Sequence, residues 1–400
     1  MKFHGSFTSS RIIALVTSYR LGKNVFSVSL LWIIYNVSHS ALLSGVAFGF
    51  QMLPLAVFFP IAGWLVDRLG RNRLLFPLEI LRILSLVGLW VVIWSHDLPR
   101  FTIYLFFLAI ISGFADSLYT VSLYGIIRDS STDKELPKVN AQVEAVGRVA
   151  QLLGPLLAAY FLTHYAIFVV LTIPVVCSIT TVVFLMTIPD HMLEERRERI
   201  ALWSGFSTLR RHHTVFLMTA IAMVTNIAVS AIGALLVFYL RSQHIGSWRA
   251  GAAMDMGSVG ILVISMIAPW LVSVLSPQQI IALSIGSMGV GITLVGIHGP
   301  YILLCLALAL GHGPVVIYNT FMQSTIQSNI PREMLGRVGG AIGSLATASM
   351  PVAGFFSGDF AQSFGFPLTI SFAGIITIFT GILGARLIVK TRPHIPNVRT

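Results

Sequence analysis

Charge is what this chain has least of. Asp, Glu, Lys and Arg make up 10% of its 400 residues, against roughly 25% in an average soluble domain. So few charges cannot cover a water-facing surface, which excludes a soluble globular enzyme and a charge-rich disordered chain. Cysteine is nearly missing too. Cys177 and Cys305 are the two present; both sit in apolar runs, far apart, without disulfide-scaffold, metal-ligand or redox spacing. They read as inert buried thiols. Catalytic signatures are lacking as well: no H-E-x-x-H, no G-x-S-x-G elbow, no Walker loop, no Cys/His cluster. The expectation is a chain that is not an enzyme, does not pump with ATP, and needs no cofactor and no metal. What is abundant is apolar residues, 56% of the chain. The natural solvent of such a polymer is a lipid bilayer.

A spanning helix needs about 20 mostly apolar residues, and twelve runs qualify. They are 12–34, 41–65, 74–94, 101–127, 140–162 and 165–188, then 215–240, 251–275, 279–297, 301–330, 336–360 and 366–388. None alternates as a β-barrel strand would. The first run is too long for a signal-peptide core and is read as a retained span. One connection is long and polar, Pro189 to Thr214, near the middle of the chain. The predicted fold class is therefore all-α integral membrane: twelve transmembrane helices in two six-helix pseudo-symmetric bundles. The domains are 1–188, a linker at 189–214, and 215–400 with a short tail. Within the linker Trp203, Phe206 and Leu209 recur at helical spacing. Part of it either lies on the membrane surface or is a solvated charged loop.

Orientation follows from Lys and Arg. Of 26 basic residues, Arg20, Lys23, Arg82 and Arg148 lie inside runs, and Arg100, Arg241 and Arg249 fall on one side. All the others fall on the side of the N-terminus. That side is assigned to the cytoplasm, with both termini inside, in the cell (inner) membrane. The bias accounts for most of the formal charge of +11 without a nucleic-acid partner.

The halves also repeat. Ala62-Gly63-Trp64-Leu65-Val66 matches Ala268-Pro269-Trp270-Leu271-Val272, and Lys134-Glu135-Leu136 matches Arg332-Glu333-Met334. Six spans in the same orientation in each half make a parallel repeat, and such duplication leaves a site between its halves.

After the second run the chain reads Gly63-Trp-Leu-Val-Asp67-Arg68-Leu-Gly70-Arg71-Asn-Arg73. This resembles the loop signature of the major facilitator superfamily, G-x-L-x-D-R-x-G-R-[RK]-x. The resemblance implies a gating loop that latches the halves in the outward-facing state. The matching loop in the second half, Ser273 to Gln279, carries no charge, so the latch is asymmetric. In span five, Gly147 and Gly154-Pro155-Leu-Leu-Ala158-Ala159 resemble the exporters' G-P-x-x-G-G signature, with alanine at both final glycines. Lys138-Val-Asn140-Ala141 and Pro331-Arg-Glu333-x-x-Gly336-Arg337-Val are similar to the branch of macrolide and siderophore exporters; lysophospholipid transporters are similar there too. The arginine signature that many drug–proton antiporters carry in span four is absent. Gly45-x-x-x-Gly49, Gly339-x-x-x-Gly343 and Gly354-x-x-x-Gly358 suit close helix crossings. In the family, spans two and eleven pack across the halves.

Ionisable groups inside lipid are functional candidates by default. Asp116 lies twelve residues before Arg128, about 18 Å from the inner end at 1.5 Å per residue. It shares a helical face with Tyr119, Thr120 and Tyr124. Span ten carries a stripe of His312, Asn319, Gln323 and Gln327. In the family spans one, four, seven and ten line the cavity, and both stripes fit that rule. Arg20 and Lys23 in span one either neutralise Asp116 or attract an anionic substrate group, with Asn24 and Ser27 extending the face and Asn226 of span seven facing it. Asp116 is assigned the proton-coupling role. Glu79 with Arg82, and Glu144 with Arg148, are spaced as local ion pairs; a structural or gating role is favoured over substrate contact. Asp255 and Asp359 are placed near the outer ends of their spans, as interfacial groups or a point of proton access.

The expected activity is secondary transport by alternating access: proton-coupled efflux of a small amphipathic or lipophilic compound, as antiport. The expected partners are that substrate, the proton and membrane lipids, with the protein a monomer. A lipid or lysophospholipid flippase, an importer, and a non-transporting membrane receptor of the same fold are the alternatives.

Overall fold

A computed structural model describes residues 5–69, 71–94, 98–130, 136–165, 167–187, 204–297, 299–331 and 334–390. Within them the chain is helix and short turn, with no strand. The first half contains α1 (Gly5–Ser38), α2 (Ala41–Leu69), α3 (Arg71–Trp94), α4 (Leu98–Ser130), α5 (Leu136–His164) and α6 (Ile167–Thr187). The short α7 (Ser204–Arg211) follows. Then come α8 (His213–Ser242), α9 (Ser247–Ser265), α10 (Ala268–Val274), α11 (Pro277–Val295), α12 (Tyr301–His312), α13 (Val315–Asn329), α14 (Leu335–Phe364) and α15 (Phe366–Lys390).

Every apolar run is met by helix, but two runs are broken. Span eight is the pair α9 and α10, bent by 51°. Pro269 stands in the first turn of α10, where its missing N–H costs nothing; carried on into a continuous helix it would remove a bond and clash with the preceding turn. Span ten divides at Gly313-Pro314 into α12 and α13 for the same reason.

Among the described residues ten stretches are long and apolar enough to cross a membrane, α12 and α13 counting together as one at Tyr301–Asn329, and the bent pair α9–α10 makes an eleventh. Helix α1 is the exception. It is 34 residues long but carries Arg11, Arg20 and Lys23. Lipid does not need to solvate it: Ile12, Leu15, Val16, Val25, Phe26, Leu30, Ile33 and Ile34 are all buried, and it packs against α4, α5 and α6. Elsewhere large apolar side chains point outward, among them Leu84, Val91, Ile103, Met186, Trp270, Phe356 and Phe379. Outward apolarity of this kind is what acyl chains solvate and water does not.

The chain forms two compact units that are not simple stretches of sequence. One comprises residues 1–39, 50–200 and 240–252; the other 40–49, 201–239 and 253–400. Each has its own core. In the first, Leu15, Val16, Leu75, Leu118, Ile126 and Val143 cluster. In the second, Met218, Ile221, Ile281, Tyr318, Phe321 and Val338 do. Two non-glycine residues with left-handed backbone, His39 (φ 49°) and His244 (φ 56°), make corresponding turns, α1–α2 and α8–α9. The repeat seen in sequence thus has a counterpart in local backbone.

Helix α7 shows that part of the linker is helix rather than loop, packed on its own unit. Leu209 is buried, packed with Val215, Met218, Val338 and Ile388, and a methyl at Gly205 would sit 2.7 Å from the Arg337 carbonyl carbon. The helix is docked on the start of α14 through its apolar face, because its two apolar side chains, Phe206 and Leu209, gain more by joining a core than by lying in solvent. Trp203 lies outside the described residues.

The glycine motifs sort themselves. A methyl at Gly45 would come within 2.7 Å of the Gly358 Cα, and one at Gly354 within 2.7 Å of the Gly49 nitrogen. Here α2 and α14 touch backbone to backbone. A methyl at Gly339 would meet nothing within 4 Å among the described residues, so Gly339 makes no such crossing.

Candidate functional site

Helices α1, α4 and α5 enclose a cavity of about 300 Å³ in the first unit. Its polar wall is Arg20, Lys23, Asn24, Asp116, Tyr119, Thr120 and Gln151, with Tyr19; its apolar wall includes Val16, Leu123, Ile127 and Val143. Asp116, near the middle of α4, is the centre of the charge. Lys23 Nζ forms an ion pair and hydrogen bond with Asp116 Oδ2. Tyr19 donates its hydroxyl to Asp116 Oδ1 at 3.2 Å. Both carboxylate oxygens are thus satisfied by α1, one turn apart on a single face. The lysine side chain is 30% exposed and the aspartate 10%, so the pair faces the cavity without being flooded.

Glycine makes room for this. The space a Gly147 side chain would fill is taken by the Arg20 guanidinium, and a side chain at Gly154 would collide with Asn24. The two glycines of the span-five signature therefore let α1 press its polar residues against α5. The alanine at 159 meets Gly251 of α9, where an added methyl would lie 2.6 Å from its Cβ. The close approach that the exporter signature places on span five is supplied here by glycine on the neighbouring helix. Further along α1, Ser27 accepts a 2.6 Å hydrogen bond from Gln51 Nε2 of α2.

Behind the cavity wall lies a second polar layer. The Tyr19 and Tyr119 rings stack, centroids 3.5 Å apart and 2° from parallel. The Arg82 guanidinium sits 5.5 Å from the Tyr19 ring centroid and reaches Glu79 Oε1 at 3.5 Å. Cys177 of α6 closes the far side against Gly22 of α1.

Six residues expected at a site, Arg20, Lys23, Asn24, Asp116, Tyr119 and Thr120, share this one cavity. Asn226, Asn319 and Gln323 belong to the other unit. Asn226 Nδ2 donates to the Ala346 carbonyl at 3.1 Å; Asn319 and Gln323 are exposed on α13. His312 lies against Gly257, with Nδ1 2.9 Å from the Leu308 carbonyl oxygen. The break at Gly313-Pro314 separates it from the rest of its stripe. Asp359 is exposed, whereas Asp255 is buried and neither of its oxygens has a hydrogen-bond partner among the described residues. Arg73 and Arg148 are exposed. The side chains of Tyr124, Glu144, Asp67, Arg68 and Arg71, and the surroundings of Gly63 and Gly70, lie outside the described residues. Tyr19 and Gln151 are the residues sequence reasoning passed over. Tyr19 stands four residues before Lys23, so its shared face with the lysine is a signal that i, i+4 spacing offers.

The long apolar helices and the charged cavity among them are those of a multi-pass membrane protein. Comparison with known proteins makes this specific. The Major Facilitator Superfamily profile matches residues 12–354. The chain is 20% identical over 397 residues to macrolide efflux protein A of Streptococcus pyogenes, covering 96% of this chain and 95% of that protein. It is 22% identical over 385 residues to the multidrug efflux pump Tap of Mycolicibacterium fortuitum, covering 92% of each. The crystal structure of the nucleoside transporter NupG shares its fold, with a TM-score of 0.73, 13% identity, and 97% and 99% of the two chains covered. The chain belongs to the Major Facilitator Superfamily. It is a transporter and not an enzyme.

Proposed function

We propose that this transporter exports a small amphipathic or lipophilic compound by alternating access, in exchange for protons carried by Asp116. The observation that carries the reading is the Asp116 carboxylate, shared between Lys23 and Tyr19 on the wall of a cavity. A carboxylate in this setting keeps its lysine while it is charged and loses that ion pair when it takes a proton. Protonation releases Lys23 from the pair, and a bound substrate that draws Lys23 away separates the same two groups. Substrate and proton then compete for one arrangement of charge, which is the requirement for exchange. The efflux proteins among the relatives support the outward direction. The lopsided distribution of basic residues supports cytoplasmic termini in an inner membrane. The apolar part of the wall, Val16, Leu123, Ile127 and Val143, suits a compound that partitions into lipid.

The test uses inverted membrane vesicles and a radiolabelled macrolide. Wild-type vesicles accumulate the label when an inward-acid pH gradient is imposed. Asp116→Asn is expected to abolish that accumulation while its abundance in the membrane is unchanged. Undiminished gradient-driven uptake by Asp116→Asn removes Asp116 from the coupling step.

A further inference from the structure

We propose that Glu79 is a second proton-binding carboxylate of this protein, titrating in competition with Asp116 through the Tyr19–Tyr119 stack. The proposal rests on the reading of Asp116 as the coupling group. It is carried by how poorly the Glu79–Arg82 pair is satisfied where it lies. Both residues are almost wholly buried, 1% and 3% exposed. One Glu79 oxygen meets Arg82 at 3.5 Å, the long edge of a hydrogen bond. The other oxygen, Glu79 Oε2, has no partner among the described residues, and neither does Arg82 Nε. A carboxylate that stays ionised in an apolar interior fills both oxygens with donors. The donors beside this one are Arg82 and the neutral Ser178 hydroxyl, while the Tyr119 hydroxyl, buried and without a partner among the described residues, lies within the field of both charges.

Arg82 is not committed to Glu79 alone. Its guanidinium lies over the Tyr19 ring, and the Tyr19 hydroxyl is the group that donates to Asp116. The two carboxylates therefore act on one pair of stacked rings from opposite ends. Titratable and charged groups facing this cluster are Tyr19, Arg20 and Lys23 from α1, Glu79 and Arg82 from α3, Asp116 and Tyr119 from α4, and Cys177 from α6. Lys23 pairs with Asp116 and Arg82 with Glu79, and Arg20 adds a third positive charge on the cavity wall. A proton on either carboxylate raises the positive charge of the cluster, which opposes a second proton on the other. Asp116 opens onto the cavity; Glu79 is enclosed within the bundle. One proton can thus be held at either of two positions that differ in access to the substrate.

The experiment is pH-difference infrared spectroscopy of the full-length protein in nanodiscs, following the protonated-carboxyl stretch in wild type, Glu79→Gln, Asp116→Asn and the double variant. Each single substitution is expected to remove one titrating component and to move the midpoint of the other by about one pH unit or more. The double variant loses both. Should Glu79→Gln fail to fold, Glu79→Asp keeps the carboxyl and displaces it, and the Asp116 midpoint is expected to move. Glu79 is a permanently ionised structural partner, and the proposal is overturned, if either variant leaves the band and the Asp116 midpoint where they were. Macrolide uptake separates the two claims. If Asp116→Asn keeps gradient-driven uptake, the underlying reading fails. If Asp116→Asn loses uptake while substitution of Glu79 leaves the Asp116 titration unmoved, that reading stands and the second site does not.

Discussion

Two α1 side chains determine what the Asp116 carboxylate experiences, and they do so unequally. Lys23 supplies a charge and Tyr19 a neutral donor. Lys23→Gln removes the ion-pair partner of the carboxylate. Because the lysine is partly exposed, the expected loss is about 1–3 kcal/mol, below that of a fully buried pair. Tyr19→Phe is expected to cost about half as much in thermal unfolding of the detergent-solubilised protein, and Lys23→Gln combined with Asp116→Asn should recover most of the loss. A double variant no better than Lys23→Gln would mean that the two groups are not coupled. Gly147→Ala tests packing at the same site. Its methyl falls where the Arg20 guanidinium lies, so overpacking of about 1–3 kcal/mol is expected, with the unfolding temperature lowered accordingly. Asp116, Arg20 and Lys23 were legible in the sequence because a charge within an apolar run is conspicuous. Tyr19 was not: an aromatic residue in a membrane helix is ordinary until a partner is known.

Helix α7 shows the same contrast one level up. Its charges are plain in sequence, while its docking depends on a pocket made by α8, α14 and α15. Leu209→Ala is expected to cost about 2–5 kcal/mol, as for a buried leucine elsewhere, measured as a lower unfolding temperature with unchanged helix content of the rest. A surface-lying α7 would show almost no effect. At the α2–α14 crossing, Gly354→Leu drives a side chain into the backbone of Gly45 and Gly49. Marked loss of folded yield is the expected result, with Gly339→Leu, in open surroundings, as the tolerated control. Periodicity finds both glycine motifs but cannot tell them apart, since only a neighbour's position decides which glycine is crowded. The broken spans were hidden for a related reason. Apolar runs of 25 and 30 residues read as single spans, although Pro269 and Pro314 stand within them.

For the whole molecule, the distribution of basic residues makes a sided prediction. In a background lacking native cysteines, Gly246→Cys in the α8–α9 turn should react with a membrane-impermeant maleimide in intact cells. Thr400→Cys should react only after permeabilisation, and the reverse pattern would invert the topology. Composition settled that this chain dissolves in lipid, and run length settled where its helices cross, because a bilayer of fixed thickness imposes one local rule on every segment. That the first helix belongs among them, although Arg20 and Lys23 make it the least apolar, was decided by packing: α4, α5 and α6 surround it, and Asp116 answers its charge. The cavity likewise exists only in three dimensions. Residues 20, 116 and 147 are distant along the chain, and close packing at glycine is what brings them to a common wall.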